Sequence, residues 1–171
     1  MNTPRPGDFG LSKIGGFVGW SIGLGQFLIN DASRYTHAFV VLDDETVIEA
    51  MPGGAIITPL SVYLGNAVFS SFDLTDDQRA DIVKQGRELE GVPYSFLDYL
   101  TIALAHFRVC PDWIKKYVSS TKHMICSQLV DEVYNRAGVH LFDDGRWPQE
   151  VTPGDLANLL IEHGWLNEEI S

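Results

Sequence analysis

The sequence predicts a single α+β domain over residues 1–171, with an antiparallel sheet packed against helices. Strand-like segments cluster in the first half of the chain and helical patterns in the second half, a segregation typical of α+β proteins. The length suits one domain with one hydrophobic core. Apolar residues make up 45% of the chain and aromatic residues 11%, which is the composition of a globular protein.

The strand segments are short and rich in β-branched and aromatic residues. Asp43-Asp44-Glu45 separates the first two segments and favours a hairpin turn. Pro52-Gly53-Gly54 interrupts the second segment, and the following residues are expected to resume it. The predicted strands cover residues 37–42, 46–50, 55–58 and 67–74.

The helical segments carry recognisable start and stop signals. Thr75 and Gln78 fit a capping box, in which the two side chains bond each other's backbone N–H groups. Gly138 ends one helix, and Thr152 followed by Pro153 starts another. The predicted helices cover residues 14–30, 75–90, 96–107, 111–118 and 126–137, with a last helix from 152 onward.

Charge and hydropathy restrict the partners. The net charge of −11 at pH 7 gives an acidic surface that repels phosphate backbones and anionic lipids, so we expect no nucleic-acid partner. Residues 14–30 are uncharged and place Gly15, Gly19 and Gly23 at a spacing found in membrane helices. The run is short for a membrane span and lacks flanking basic clusters, which favours a buried helix. Residues 1–9 show no secretory signal, so a cytoplasmic or viral setting is expected.

The chain contains two cysteines, Cys110 and Cys126. One disulfide is conceivable, but nothing else indicates an oxidising compartment, so two free thiols are expected. No CxxC pair or clustered His/Cys set occurs, and Gly23-Leu24-Gly25 lacks the last glycine of a dinucleotide-binding loop, so we expect no metal and no cofactor. Cys126 falls at the start of a helix, where backbone N–H groups and the helix dipole favour a thiolate. A buried structural cysteine is the alternative.

A nucleophilic thiol needs a base, and the chain has five histidines. His37 begins the most β-prone strand, where a sheet can hold an imidazole in a fixed position. His106 is expected to pack in an apolar helix, and His123 to be held away from the start of the cysteine helix. His140 and His163 are expected to lie at helix ends.

Glu49 is the candidate for orienting His37. A hairpin that pairs Val40 with Thr46 also pairs His37 with Glu49, and residues directly opposite each other point the same way. The carboxylate would then take the Nδ1 proton of His37 and leave Nε2 facing the thiol. This register requires a three-residue loop or a bulge, because a two-residue loop would turn Glu49 to the opposite face.

Three segments then carry a family resemblance: YTHAFVVLDDETVIEAMPGGAI, PYSFLDYL and MICSQLVDEVYNRAG. Their order and spacing resemble the permuted NlpC/P60 papain-like superfamily, and in particular its YiiX-like amidase branch. The likeness extends from Gly7-Asp8 to the segment TPGDLANLL and implies a circularly permuted papain-like fold. Triads are recognised by geometry and not by chain order, so a permutation preserves the chemistry.

The resemblance implies Cys126 as nucleophile, His37 as general base and acid, and Glu49 as the third member of a triad. It also matches Tyr94 to a recurring tyrosine of the branch. Tyr35 is a further candidate for lining the substrate pocket, and backbone N–H groups at the start of the cysteine helix are candidate oxyanion donors. Members of this branch often carry an export signal, which we do not find at the start of this chain.

Together these features predict a cysteine hydrolase that cleaves an amide bond through an acyl-enzyme. The expected substrate is a small molecule, peptide or acyl compound, such as a cell-wall-type peptide or an acylated amino acid. One alternative is an acyltransferase or thioesterase acting on lipid acyl groups, with residues 14–30 lining an acyl tunnel. Another is a non-catalytic binding or structural module. The sequence indicates no oligomeric state.

Overall fold

The computed structural model describes residues 3–12, 35, 37–51, 54–92, 126–144 and 151–166. These residues form β1 (Phe9–Ser12), β2 (His37–Val41), β3 (Thr46–Met51), β4 (Gly54–Pro59) and β5 (Ala67–Phe69), with a 3-10 turn at Leu60–Val62. They also form the helices α1 (Asp76–Glu88), α2 (Cys126–Arg136) and α3 (Pro153–Glu162). The helices predicted at 14–30, 96–107 and 111–118 lie outside the described residues.

The strands form one antiparallel sheet in the order β4-β3-β2-β1-β5, which confirms the α+β class. The sequence did not predict β1, because it is short and contains Gly10, a weak strand former. β5 ends at Phe69 and not at residue 74. The cause is its partner: β1 begins at Phe9, so the chain beyond Ser70 has no strand to pair with.

β2 lies at the centre of the sheet, and every one of its residues is buried. Alternation places successive strand residues on opposite faces. The larger core cluster contains Ala38 and Val40 together with apolar residues of all three helices. The smaller cluster contains Phe39, Val41, Val47 and Leu60, with Tyr63, Ala67 and Phe69 packed against it. By this alternation, His37 and Glu49 lie on the same face of the sheet as the smaller cluster.

The β2–β3 hairpin turns through Asp43-Asp44-Glu45, a three-residue loop of the predicted length. Asp43 shapes the turn, because its Oδ1 accepts hydrogen bonds from the backbone N–H groups of Glu45 (2.9 Å) and Thr46 (2.7 Å). The two residues that flank the loop are hydrogen-bonded, because the N–H of Leu42 donates to the carbonyl of Thr46 at 2.9 Å. An aspartate side chain that bonds its own turn in this way is a common device in tight loops.

The register of that hairpin differs from the prediction. The expected pairing of Val40 with Thr46, and of His37 with Glu49, is wrong, because Phe39 lies opposite Glu49. The loop begins one residue later than expected, so each pair is shifted by two residues. A shift of two keeps every side chain on its face. Glu49 therefore shares a face with His37, diagonally and not directly opposite.

Helix boundaries follow local capping. Thr75 and Gln78 form the predicted capping box of α1, and Thr152 forms a second one with Asp155 at the start of α3. After α2, Gly138 adopts φ +73°, a conformation that favours glycine. Of the helices that the structure describes, none combines the length and the apolar character that crossing a membrane requires.

The segment before β1 is tied to the helices by buried polar contacts. Arg79 of α1 donates through Nη1 to Oδ1 of Asp8 (2.8 Å) and to the carbonyl of Pro6 (2.9 Å). The Tyr134 hydroxyl of α2 donates to the carbonyl of Gly7 at 2.5 Å. Because these groups are buried, their pairing avoids the free-energy cost of isolated charges and dipoles. The contacts fix β1 beside β2 and so help to position the centre of the sheet.

Candidate functional site

Three elements of the fold bring the predicted triad residues together. His37 is the first residue of β2, Glu49 lies near the end of β3, and Cys126 is the first residue of α2. Their side chains are buried, with exposed fractions of 1%, 3% and 2%. Burying a carboxylate and an imidazole costs free energy unless the two groups are paired.

The imidazole of His37 is paired with Glu49. Its Nε2 lies 2.5 Å from Oε2 of the carboxylate. The prediction assigned this contact to Nδ1 and is wrong on that point. Glu49 stands opposite Phe39, two residues along the strand from His37, so its carboxylate reaches the ring nitrogen farther from the His37 backbone. Nδ1 is then the nitrogen left for the thiol.

The thiol of Cys126 hydrogen-bonds the imidazole of His37 and forms no disulfide. Cys126 belongs to the larger core cluster, on the face of the sheet that the helices cover. Strand alternation places Glu49 on the opposite face. His37 contacts both side chains. Ser127 holds the start of α2 in place by donating its hydroxyl to the carbonyl of Val151 at 2.6 Å.

Glu49 accepts hydrogen bonds from three side chains. Besides His37, Thr58 donates its hydroxyl to Oε1 at 2.6 Å, and Tyr63 donates its hydroxyl to Oε2 at 2.5 Å. Burial raises the pKa of Glu49, but the three hydrogen bonds and the charge of His37 outweigh it and lower the pKa below its usual value. The carboxylate is therefore ionised at neutral pH.

The electrostatics favour a protonated His37. Burial lowers the pKa of its imidazole, but the hydrogen bonds and the negative charges of Cys126 and Glu49 raise it to about 9. The interaction is reciprocal, so the imidazolium favours the thiolate of Cys126. The first turn of α2 adds the positive end of a helix dipole at the same sulfur. The structure thus links the Cys126 side chain, the His37 imidazole and the Glu49 carboxylate in one chain of contacts.

Sequence reasoning missed Thr58 and Tyr63. The contact of Thr58 with Glu49 could in principle have been predicted. Ile56 lies opposite Glu49, and alternation places Thr58, two residues farther along β4, on the same face. The contact of Tyr63 could not, since this residue follows the 3-10 turn and no local pattern shows that this turn folds back over the sheet. The contact of Tyr63 with Glu49 is therefore specified only by the tertiary structure.

The other residues that the sequence analysis singled out lie elsewhere in the structure or outside its described part. Tyr35 is partly buried and packs against the larger core cluster, and Tyr94 lies outside the described residues, as do Cys110, His106 and His123. His140 is exposed. His163 is the C-cap residue of α3, as expected for a helix-end histidine.

Comparisons with known proteins show a likeness at the level of the fold. No family model matches the chain, and no curated protein matches it in sequence. The fold is similar to the crystal structure of the metalloprotein YiiX from Escherichia coli, with a TM-score of 0.56 and 20% sequence identity, over 95% of this chain and 83% of that chain. In the described part of this chain, no group of three or more His, Cys, Asp or Glu residues is arranged to hold a metal ion. The chain shares the fold of YiiX.

Proposed function

We propose that this protein is a cysteine hydrolase of permuted papain-like fold that cleaves amide bonds through an acyl-enzyme. The observation that carries the proposal is the contact chain from Cys126, at the start of a helix, through His37 to Glu49. A nucleophile, a base and a group that orients the base are the three parts that such catalysis requires. The shared fold with YiiX supports the proposal.

The reaction begins from the thiolate–imidazolium pair. The sulfur of Cys126 attacks the acyl carbon, and the imidazolium of His37 gives its Nδ1 proton to the departing amine as the C–N bond breaks. The neutral imidazole then takes a proton from water, whose oxygen attacks the thioester carbon. The C–S bond breaks, the acid is released, and the thiolate–imidazolium pair is restored.

The surroundings of the pair support each step. Glu49 stays ionised and holds the imidazole ring, so that Nδ1 keeps facing the sulfur in both protonation states. Backbone N–H groups in the first turn of α2 are suited to stabilise the oxyanion that develops on the attacked carbonyl. We assign Tyr35 and Tyr94 to the substrate pocket. The acidic surface favours substrates whose amine portion is neutral or cationic.

The test uses chromogenic amides and esters. The full chain is incubated with p-nitroanilides of neutral and lysine-containing peptides and with p-nitrophenyl esters, and the mass of the intact protein is followed. We expect turnover, with a transient acyl adduct on Cys126, and its loss in Cys126→Ala. The matched control is Cys110→Ala, which removes the other thiol and should keep the activity.

Two results would redirect or end the proposal. Turnover that survives Cys126→Ala in full would show that the thiol is not the nucleophile. A stable lipid-acyl adduct on Cys126, formed from an activated acyl donor and not hydrolysed by water, would contradict hydrolysis and favour acyl transfer.

A further inference from the structure

Two donors share one oxygen of Glu49. The hydroxyl of Tyr63 and the Nε2 of His37 each lie 2.5 Å from Oε2, whereas Thr58 donates to the other oxygen, Oε1, at 2.6 Å. A carboxylate oxygen can accept both, but each donor withdraws charge from it. The strength of the bond between Glu49 and His37 therefore depends on Tyr63.

Aromatic packing holds the Tyr63 hydroxyl in this position. The ring of Tyr63 stacks on Phe39, with centroids 4.1 Å apart and planes at 24°, and it lies 5.9 Å from the ring of His37 at 30°. Its backbone N–H bonds the carbonyl of the buried Leu60 at 2.9 Å. A tyrosine ring fixed on both its face and its backbone presents its hydroxyl with little freedom.

The packing continues into β1, where Gly10 makes room for Phe39. A Cβ at position 10 would lie 2.5 Å from Cε2 of the Phe39 ring, well inside van der Waals contact. Phe69 of β5 closes the other side, with its ring edge-on to Phe39 at a centroid distance of 6.0 Å. The position of Tyr63 is thus set by residues of three strands.

This inference rests on the proposed function. We propose that Tyr63 is a positioning residue: because its hydroxyl also donates to Oε2 of Glu49, it weakens the hydrogen bond between that carboxylate and the His37 imidazolium. The titratable groups that face His37 among the described residues are Cys126 from α2, Glu49 from β3 and Tyr63 beyond the 3-10 turn. Of these, Tyr63 is the one that acts on the imidazole through another side chain.

The chemical consequence concerns proton transfer to the leaving amine. An imidazolium held too strongly by a carboxylate is a weak acid and protonates the amine slowly. The Tyr63 hydroxyl draws charge from Oε2 and so keeps the imidazolium acidic enough to release its proton. Tyr63 itself stays protonated, because burial and the neighbouring Glu49 carboxylate raise the pKa of its hydroxyl above the usual value.

The experiment measures His37 directly. The imidazole of His37 is titrated by nitrogen-15 NMR in the full chain, in wild type, Tyr63→Phe and Thr58→Val. Tyr63→Phe keeps the ring that stacks on Phe39 and removes only the hydroxyl. We expect it to raise the pKa of His37 by roughly half a unit or more, and Thr58→Val to raise it by less, because that donor binds the other oxygen. An unchanged or lowered value in Tyr63→Phe, or an equal shift in Thr58→Val, would overturn the proposal.

A second measurement covers the case in which a variant does not fold. Replacing Tyr63 with 3-fluorotyrosine keeps the ring and strengthens the hydroxyl as a donor, so the pKa of His37 should fall below that of wild type; a rise would contradict the proposal. In turnover, Tyr63→Phe should lower kcat with little change in KM and move the alkaline limb to higher pH. The NMR titration needs no substrate, so it tests Tyr63 even where wild-type protein shows no hydrolysis and the proposed function fails.

Discussion

The carboxylate of Glu49 and the imidazole of His37 meet across a diagonal of the β2–β3 ladder, 2.5 Å apart, while Phe39 occupies the place opposite Glu49. Diagonal neighbours on one face of an antiparallel pair are within reach of long side chains. The ring of Phe39 stacks against the ring of Tyr63. One register thus arranges both the contact between His37 and Glu49 and the packing of Tyr63 on Phe39.

Removing the charge of Glu49 should weaken catalysis. In Glu49→Gln, the amide cannot stabilise the imidazolium as a carboxylate does, so we expect kcat/KM for amides at pH 7 to fall by about a hundredfold. The pKa of His37 should fall as well. Glu45→Gln is the matched control, because Glu45 is exposed in the β2–β3 loop. Equal activity of the two variants would exclude Glu49 from the mechanism.

The pH dependence follows from the pKa of His37, which is raised from 6.5 to about 9. The leaving amine needs the imidazolium, so kcat/KM should decline as pH rises through about 9. The raised pKa also means that the imidazolium stabilises the fold fully below pH 6.5, and that this stabilisation is lost as pH rises through about 9. Activity and chemical denaturation measured across this range check both statements. An alkaline limb at or below pH 6.5 would show that the imidazolium is not stabilised.

The close approach of β1 to Phe39 can be tested by adding one methyl group. Gly10→Ala should displace the Phe39 ring and with it Tyr63, so we expect a loss of about 1–3 kcal/mol in the free energy of unfolding, together with lower activity. Ser12→Ala on the same face of β1 is the control. The buried Ser12 hydroxyl has no hydrogen-bond partner among the described residues, so its removal should be neutral or stabilising. Urea denaturation decides, and a neutral Gly10→Ala would refute the tight contact.

Two arginines of α1 offer a matched test of burial. Arg79 and its partner Asp8 are 8% and 4% exposed, whereas Arg87 and its partner Asp43 are 47% and 41% exposed. Arg79→Met leaves the buried carboxylate of Asp8 without its cationic partner and should cost about 3–5 kcal/mol of unfolding free energy. Arg87→Met should cost about 0–1 kcal/mol. Comparable losses in the two variants, measured in urea, would contradict this account of the N-terminal segment.

What the sequence predicted was what local chemistry determines. The capping box at Thr75, the turn at Asp43 and the helix that begins at Cys126 each depend on residues within a few positions of one another. The shared face of His37 and Glu49 was predicted because strand alternation survives a register error of two residues.

What the sequence did not predict depends on long-range packing. β1 becomes a strand only because β2 and β5 pair with it. The choice of Nε2 over Nδ1 follows from the observed register, in which Phe39 and not His37 stands opposite Glu49. Tyr63 reaches Glu49 because the 3-10 turn folds over the sheet and its ring finds Phe39. None of these contacts leaves a local pattern in the chain.

The state of the Cys126 sulfur tests the central claim most directly. The full chain is alkylated with iodoacetamide across a range of pH, and the modified peptides are identified by mass spectrometry, so that Cys126 and Cys110 are followed separately. We predict that Cys126 reacts as a thiolate well below the ordinary thiol pKa of about 8.5, and that His37→Ala abolishes this reactivity. A Cys126 that titrates as an ordinary thiol near 8.5 in both proteins would contradict the thiolate–imidazolium pair.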